Sequence, residues 1–470
     1  MFIGRQEELK FLEDRYHTDM GQLVVLYGRR RVGKTETLRK FCEGKAYVFY
    51  SCVECPDEQQ LTSFSSRVLQ TGIPASKYIS RFSDWEQALE SVTELPGEGK
   101  KLLVIDEFPY MVRGNRSIPS ILQNLWDAKL KNENVMIILC GSAMSFMEKE
   151  ILADKNPLYG RATGILKMKE MSFREVVEFV PNYSATDKIV TYAILGGIPH
   201  YLRQFDDNLT LAENIKKNIL TRGSILYSEA EFLIRQELRE PGTYNALIEA
   251  VALGNTKLND IYQKTQIEKT KLSAYLKNLI DLGIICREFS VEDGIKEHAN
   301  VQRGLYQVTD KFFRFWYAFV FPNISELESG DSEGVWNYIV KPELDNYTSH
   351  VFEEICREYL REKNKEQQLP FHFVKIGRWW NKTDELDVMA LDKERKQYIL
   401  GDCKYKNSLF DMSDLRRMQE KFLPKIQDVA LFYWLFSKSG FTKDVLEEAK
   451  RQGIQTVTVE DMVRGLLVLK

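Results

Sequence analysis

The sequence predicts a multidomain α/β protein, and three observations carry that prediction. Up to about residue 165, apolar runs of strand length ("LVVLY", "AYVFYS", "KLLVIDEF", "VMIILCGS") alternate with amphipathic stretches, which argues for a parallel sheet covered by helices. From residue 171 to about 325 the pattern is mainly helical. After a polar stretch that is poor in apolar residues, "NISELESGDSEG" at 323–334, helices and strands alternate again. The chain has 470 residues, 44% hydrophobic and 28% charged, enough for three or four separate cores. The expected domains are 1–170, a parallel-sheet core; 171–238, a helical lid; 239–325, a helical module; and 326–470, a second α/β domain.

Composition excludes several classes. Lys and Arg number 65 against 68 Asp and Glu, a net charge of -3, so any surface for nucleic acid must be a local patch. The most apolar runs, "VMIILCGSAMSFM" and "FFRFWYAFVF", fall short of the roughly 18 residues needed to span a bilayer. No membrane segment is expected. "MFIGRQEELK" lacks the basic start and apolar core of a secretory signal, which makes the cytoplasm the expected location. Seven cysteines fit free thiols, and the lone CxxC of Cys52 and Cys55 has no second ligand pair.

The most specific motif is "GRRRVGKT", placed after the strand "QLVVLYG" and before the helix "TETLRKF". Gly28, Arg29, Arg30, Arg31, Val32 and Gly33 would turn backbone N–H groups around phosphate oxygens, and the following helix N-terminus adds positive charge. Lys34 would reach the β- and γ-phosphates of ATP, and Thr35 would ligate Mg²⁺. "KLLVIDEF" delivers Asp106 and Glu107 to the C-terminal edge of a strand, where ligands bind in such sheets. Asp106 fits a magnesium ligand acting through water, and Glu107 a base that orients the attacking water. "VMIILCGSA" brings Ser142 to the same edge, where its hydroxyl could touch the γ-phosphate.

Between 171 and 238, Gly196, Gly197 and Pro199 in "LGGIPHYL" punctuate the helical lid. Further on, "TYNALIEAVALGN", "KLNDIYQKTQ" and "EKTKLSAYLKNLIDLGII" are three helical patterns followed by a strand, the order of a winged helix-turn-helix. Leu272, Leu276, Leu279 and Ile280 share the expected buried face. Lys269, Lys271, Lys277 and Asn278 would face phosphates and base edges of DNA. The same module could instead pack against its neighbours or a second subunit.

"ELDVMALDKERKQYILGDCKYKN", residues 385–407, predicts two strands and a charged turn. A turn closing symmetrically around Glu394 and Arg395 sets Asp387 opposite Asp402 and Glu385 opposite Lys404. Strict alternation then places these four on one face, with Leu386, Val388, Ile399 and Cys403 on the other. Opposed carboxylates repel, and a divalent cation between them removes the repulsion.

"FIGRQEEL", "YGRRRVGKTETL", "LLVIDEFPYM", "ILCGSAMSFM", "LYGRATGILKMKEMSFRE" and "LGGIPHYL" together resemble the prokaryotic, archaeal-type AAA+/STAND P-loop ATPases over residues 1–235. The resemblance implies an additional-strand P-loop core holding magnesium-ATP between subunits or against a lid, hence a possible homo-oligomer. It also implies Gly4 and Arg5 near the adenine and Arg161 of "YGRAT" as an arginine finger. Asp387, Asp402 and Lys404 resemble the PD-(D/E)XK nuclease pattern, although Leu386 stands where its proline would. That likeness implies Mg²⁺ held by Asp387, Asp402 and Glu353, the last from "HVFEEICREYL", with Lys404 positioning the attacking water. Arg416, Arg417 and Lys421 would meet backbone phosphates. "KIGRWWNKTDELDVMALD" and "GDCKYKN" resemble the domain of unknown function usually fused to these ATPases. The expected function is therefore a Mg-dependent ATPase whose nucleotide state gates a DNA-binding winged helix and a metal-dependent, nuclease-like C-terminal domain. The alternative is an ATP-controlled switch, a regulator that binds DNA or protein and keeps a catalytically silent nuclease fold.

Overall fold

Five parallel strands form the first sheet: β1 (Gln22–Tyr27), β2 (Tyr47–Ser51), β3 (Lys101–Asp106), β4 (Val135–Gly141) and β5 (Gly164–Lys167), in the order β2-β3-β4-β1-β5. Every residue of β1 and β4 is buried, as strands covered by helices on both faces require. Because β4 lies between β1 and β3, the loop after β1 and the acids after β3 open on one edge, separated by the end of β4. The computed structural model describes residues 2–294, 303–421 and 429–468. Its contacts group into two units, Met1–Met171 with Ile198–His200, and Ser172–Gly197 with Tyr201–Lys470. No helix among the described residues is long and apolar enough to cross a membrane.

In the second unit, helix Phe173–Val177 starts at a capping box between Ser172 and Glu175, and helix Ala185–Leu195 is buried along most of its length. Helices Pro241–Ala252, Leu258–Thr265 and Lys269–Asp281 lead into an antiparallel ribbon of β6 (Ile285–Glu288) and β7 (Leu305–Val308). Leu272, Leu276 and Leu279 are 0%, 1% and 0% exposed, but Ile280, expected on the same face, is 37% exposed. The buried stripe of this helix is narrower than the apolar pattern, because Ile280 falls at its solvent edge.

The second large sheet has the order β12-β11-β10-β9-β8, with β8 (Lys375–Trp380), β9 (Glu385–Leu391), β10 (Gln397–Lys404), β11 (Ala430–Ser437) and β12 (Gln455–Thr458). β8, β9 and β10 are antiparallel neighbours, whereas β10, β11 and β12 run parallel. Helix Lys341–Lys365 packs on β8, β9 and β10. A buried cluster that includes Met389, Leu400, Leu415, Leu435 and Val445 joins the sheet to helices Met412–Glu420 and Lys443–Gln452. The stretch "MSDLRRMQEKFL", 412–423, has a helical pattern; Met412–Glu420 is helical, and residues 422 and 423 lie outside the described residues.

Candidate functional site

The loop after β1 is shaped by its glycines. A Cβ on Gly28 would stand 2.5 Å from the carbonyl oxygen of Met168, a backbone atom that no rotamer change can move. Gly33, at φ 94°, caps helix Lys34–Cys42 in a left-handed conformation, and Arg31 shares that region at φ 69°. Inside the cradle, Lys34 is 6% exposed and its Nζ donates to the carbonyls of Gly28 (2.9 Å) and Arg29 (2.8 Å). Burial pushes the Lys34 ammonium below its ordinary range, while Cys140, Glu107 and Asp106 oppose that shift. Arg29 pairs with Glu170 at 3.1 Å. From the other side of the loop, Arg5, 2% exposed, donates to the Val32 carbonyl at 2.6 Å and pairs with Glu8 at 2.7 Å.

The strand ends complete a hydrogen-bonded relay. Thr35 Oγ1 donates to Asp106 Oδ2 at 2.8 Å, and the Glu107 N–H donates to Asp106 Oδ1 at 3.0 Å. Ser142 gives Glu107 Oε2 two donors, its hydroxyl at 2.8 Å and its backbone N–H at 3.3 Å. Glu107 sits at φ 53°, a left-handed conformation that a non-glycine residue rarely adopts, at the start of helix Phe108–Gly114. Lys34, Thr35, Asp106, Glu107 and Ser142 are thus brought together. Arg161 stands outside this relay: its guanidinium pairs with Asp127 at 2.8 Å on the same unit.

These groups fit ATP with Mg²⁺. The loop has room only for glycine at Gly28, its lysine ammonium is enclosed, and the hydroxyl of Thr35 and carboxylate of Asp106 are hard oxygen donors side by side.

In the C-terminal hairpin, β9 and β10 pair as the symmetric turn predicts, from Leu391↔Tyr398 to Val388↔Gly401. The expected faces do not follow. Leu386 and Met389 enter the same buried cluster although they are three residues apart, which strict alternation forbids. A register shift between β8 and β9 near Gly377 and Trp379 accommodates the extra residue. Asp387 Oδ2 accepts the N–H of Cys403 at 2.8 Å, Lys421 Nζ pairs with Asp402 Oδ1 at 2.9 Å, and Lys404 Nζ pairs with Asp414 Oδ2 at 2.5 Å. Glu353 lies between Arg378 (3.6 Å) and Arg357 (3.8 Å), while Glu385, expected opposite Lys404, meets Arg378 at 3.3 Å. Asp387 has its carboxyl pushed well above the usual range by burial, then by Glu353 and Asp402 beside it. No three His, Cys, Asp or Glu side chains among the described residues are gathered to hold a metal ion, and Glu353, Asp387 and Asp402, expected to hold Mg²⁺, are not brought into one cluster. Protein cations have taken two of the three carboxylates.

Sequence reasoning missed the counter-ions Asp414 and Lys421 and the arginine clamp on Val32. Asp411 and Asp414 form a capping box at the start of helix Met412–Glu420, and Asp414 also anchors Lys404.

The site defines a P-loop ATPase, and comparison with known proteins agrees. A family described as an ATPase domain predominantly from Archaea matches residues 2–205, and one described as "Archaea bacterial proteins of unknown function" matches 316–419. An uncharacterised protein of Methanocaldococcus jannaschii, MJECL04, is 34% identical over 408 residues, 87% of this chain and 88% of that protein. An uncharacterised ATP-binding protein of the same organism is 53% identical over 45 residues, 10% of this chain and 76% of that protein. Among solved structures, the Walker-type ATPase PABY2304 of Pyrococcus abyssi is similar with a TM-score of 0.48 at 23% identity, covering 67% of this chain and 96% of that one. The ORC2 protein of Aeropyrum pernix gives 0.46 at 15%, covering 69% and 95%. The chain belongs to the archaeal-type ATPase family, with the C-terminal domain of unknown function attached, and ATP hydrolysis is the activity this membership assigns.

Proposed function

We propose that the protein is an ATP-controlled switch whose nucleotide state sets the affinity of a winged helix for DNA, and whose nuclease-like C-terminal domain is catalytically silent. One observation carries the choice against cleavage: Lys404 and Asp402 are each held by a protein partner, Asp414 and Lys421. In the ATPase core, Lys34 would exchange its loop carbonyls for phosphate oxygens, and Thr35 and Asp106 would hold Mg²⁺. The ion would supply screening of the phosphate charge. Glu107 orients the attacking water, and Ser142 fixes the carboxylate that does so. Arg161, released from Asp127, would serve a second copy as its finger. The DNA-facing groups are Lys269, Lys271 and Lys277, all exposed on helix Lys269–Asp281. Asn278, in the same role, is bonded to the Tyr244 hydroxyl at 2.8 Å.

Fluorescence anisotropy of a labelled duplex tests this. Glu107→Gln in ATP should bind the duplex with an affinity different from its ADP form. That difference should vanish with Lys34→Ala, and binding should fail with Lys269→Glu/Lys271→Glu. Equal affinity in every nucleotide state contradicts the switch. The second reading, a Mg-dependent nuclease, is favoured by Asp387, whose carboxyl is raised by burial and by the charges of Glu353 and Asp402, a repulsion that a cation would relieve.

A further inference from the structure

A cavity of about 930 Å³ opens within the second unit, bounded by the β6–β7 ribbon, β8 and one face of helix Lys341–Lys365. It falls within the range of small-molecule sites, about 300–1,000 Å³. The helix contributes Glu354, Arg357, Glu358 and Arg361, spaced to share one face.

The charges around it do not cancel. Lys311 is neutralised by Glu354 at 2.9 Å, Arg378 by Glu288 at 3.2 Å, and Asp293 meets Arg303 at 3.7 Å. Arg357, Arg361 and Lys375 remain on the cationic side, and Glu358 alone on the acidic side. The Arg357 side chain is only 9% exposed, yet its hydrogen bond goes to a neutral group, the Asp387 carbonyl at 2.7 Å. The nearest acid to Arg357, Glu353 at 3.8 Å, is shared with Arg378. Arg361 and Lys375 make no ion pair within 4.0 Å among the described residues. Glu358 is a weak counter-ion, because burial pushes its carboxyl up to about 7. Two guanidinium groups one helical turn apart repel each other, and an anion between them removes that repulsion. Phe289 and Phe373 add flat apolar wall beside the cations.

We propose that this cavity binds a small organic anion, bearing either phosphate groups or several carboxylates, through Arg357, Arg361 and Lys375. Planar guanidinium forks match both head groups. The site is separate from the phosphate loop and does not depend on the ATPase reading.

Isothermal titration of the full chain carrying Lys34→Ala, which silences the phosphate loop, tests it with two probes, inorganic pyrophosphate and citrate. At least one should saturate with a Kd below about 1 mM. Arg361→Glu should weaken that binding about tenfold or more, Lys375→Glu should weaken it as well, and Arg203→Glu, on the surface elsewhere, should leave it unchanged. Saturation by pyrophosphate alone assigns phosphate chemistry, and by citrate alone carboxylate chemistry. The proposal is overturned if neither probe saturates by about 10 mM, or if both cavity variants bind as tightly as their parent.

Discussion

Replacing Lys404 by methionine keeps the aliphatic stem and removes the ammonium, which separates a structural lysine from a catalytic one. Lys404 Nζ lies 2.5 Å from Asp414 Oδ2, with 14% and 11% of the two side chains exposed, and also donates to the Leu409 carbonyl at 2.8 Å. Breaking one partner of a fully buried pair costs about 3–5 kcal/mol. Here Asp414 retains the Arg417 guanidinium at 2.9 Å and the Asp411 N–H at 3.2 Å, so the loss is smaller. We expect about 2 kcal/mol off the local opening energy of helix Met412–Glu420, a roughly 30-fold faster amide exchange there. Hydrogen exchange read by mass spectrometry is the appropriate assay, because a chain with several domains does not unfold in one step. Adding Asp414→Asn should cost less than the sum of the single changes, with a coupling of about 1–2 kcal/mol. Exchange in Lys404→Met within about a factor of two of wild type would refute the reasoning and leave Lys404 free for chemistry.

The remaining predictions follow from the same contacts. Lys34→Ala should abolish ATP hydrolysis, while Glu107→Gln should bind ATP and hardly turn it over, as filter binding and phosphate release would show. Gly28→Ala should raise the KM for ATP with the fold retained, because its methyl must displace backbone at Met168 at a cost of about 1–3 kcal/mol. Glu358 provides a pH signature. Burial raises its carboxyl to about 7 from 4.5, against the opposing N–H of Arg174 and charge of Lys311. The folded state therefore holds a proton that the unfolded chain releases. Its stabilising contribution is complete below the unfolded value and is lost as pH rises through about 7. Exchange protection of helix Lys341–Lys365, corrected for intrinsic rates, should fall across that window, and Glu358→Gln should flatten it.

The phosphate site was legible because its backbone geometry demands particular residues at fixed spacing: Gly28 beneath the Met168 carbonyl, Gly33 in a left-handed cap, and acids at the end of β3. The bond from the Ser142 hydroxyl to Glu107 was not legible, since side-chain direction across two strands has no sequence code. The hairpin register followed from the turn alone. Its faces did not, because the slip opposite Gly377 and Trp379 depends on a strand outside the hairpin. Asp414 and Lys421 come from the helix beyond the hairpin, so their claim on Lys404 and Asp402 is set by tertiary packing. Ile280 shows the same limit on a helix: apolar spacing gives a direction, while the neighbour decides how wide the buried stripe is.

The central claim is that nucleotide controls binding while the C-terminal fold does not cleave. Supercoiled plasmid incubated with the wild-type protein, ATP and Mg²⁺ or Mn²⁺ tests it most directly, with Asp402→Asn alongside. The account predicts no nicking above a protein-free control in any combination. Nicking by the wild type that disappears with Asp402→Asn would contradict it and assign phosphodiester cleavage to this hairpin.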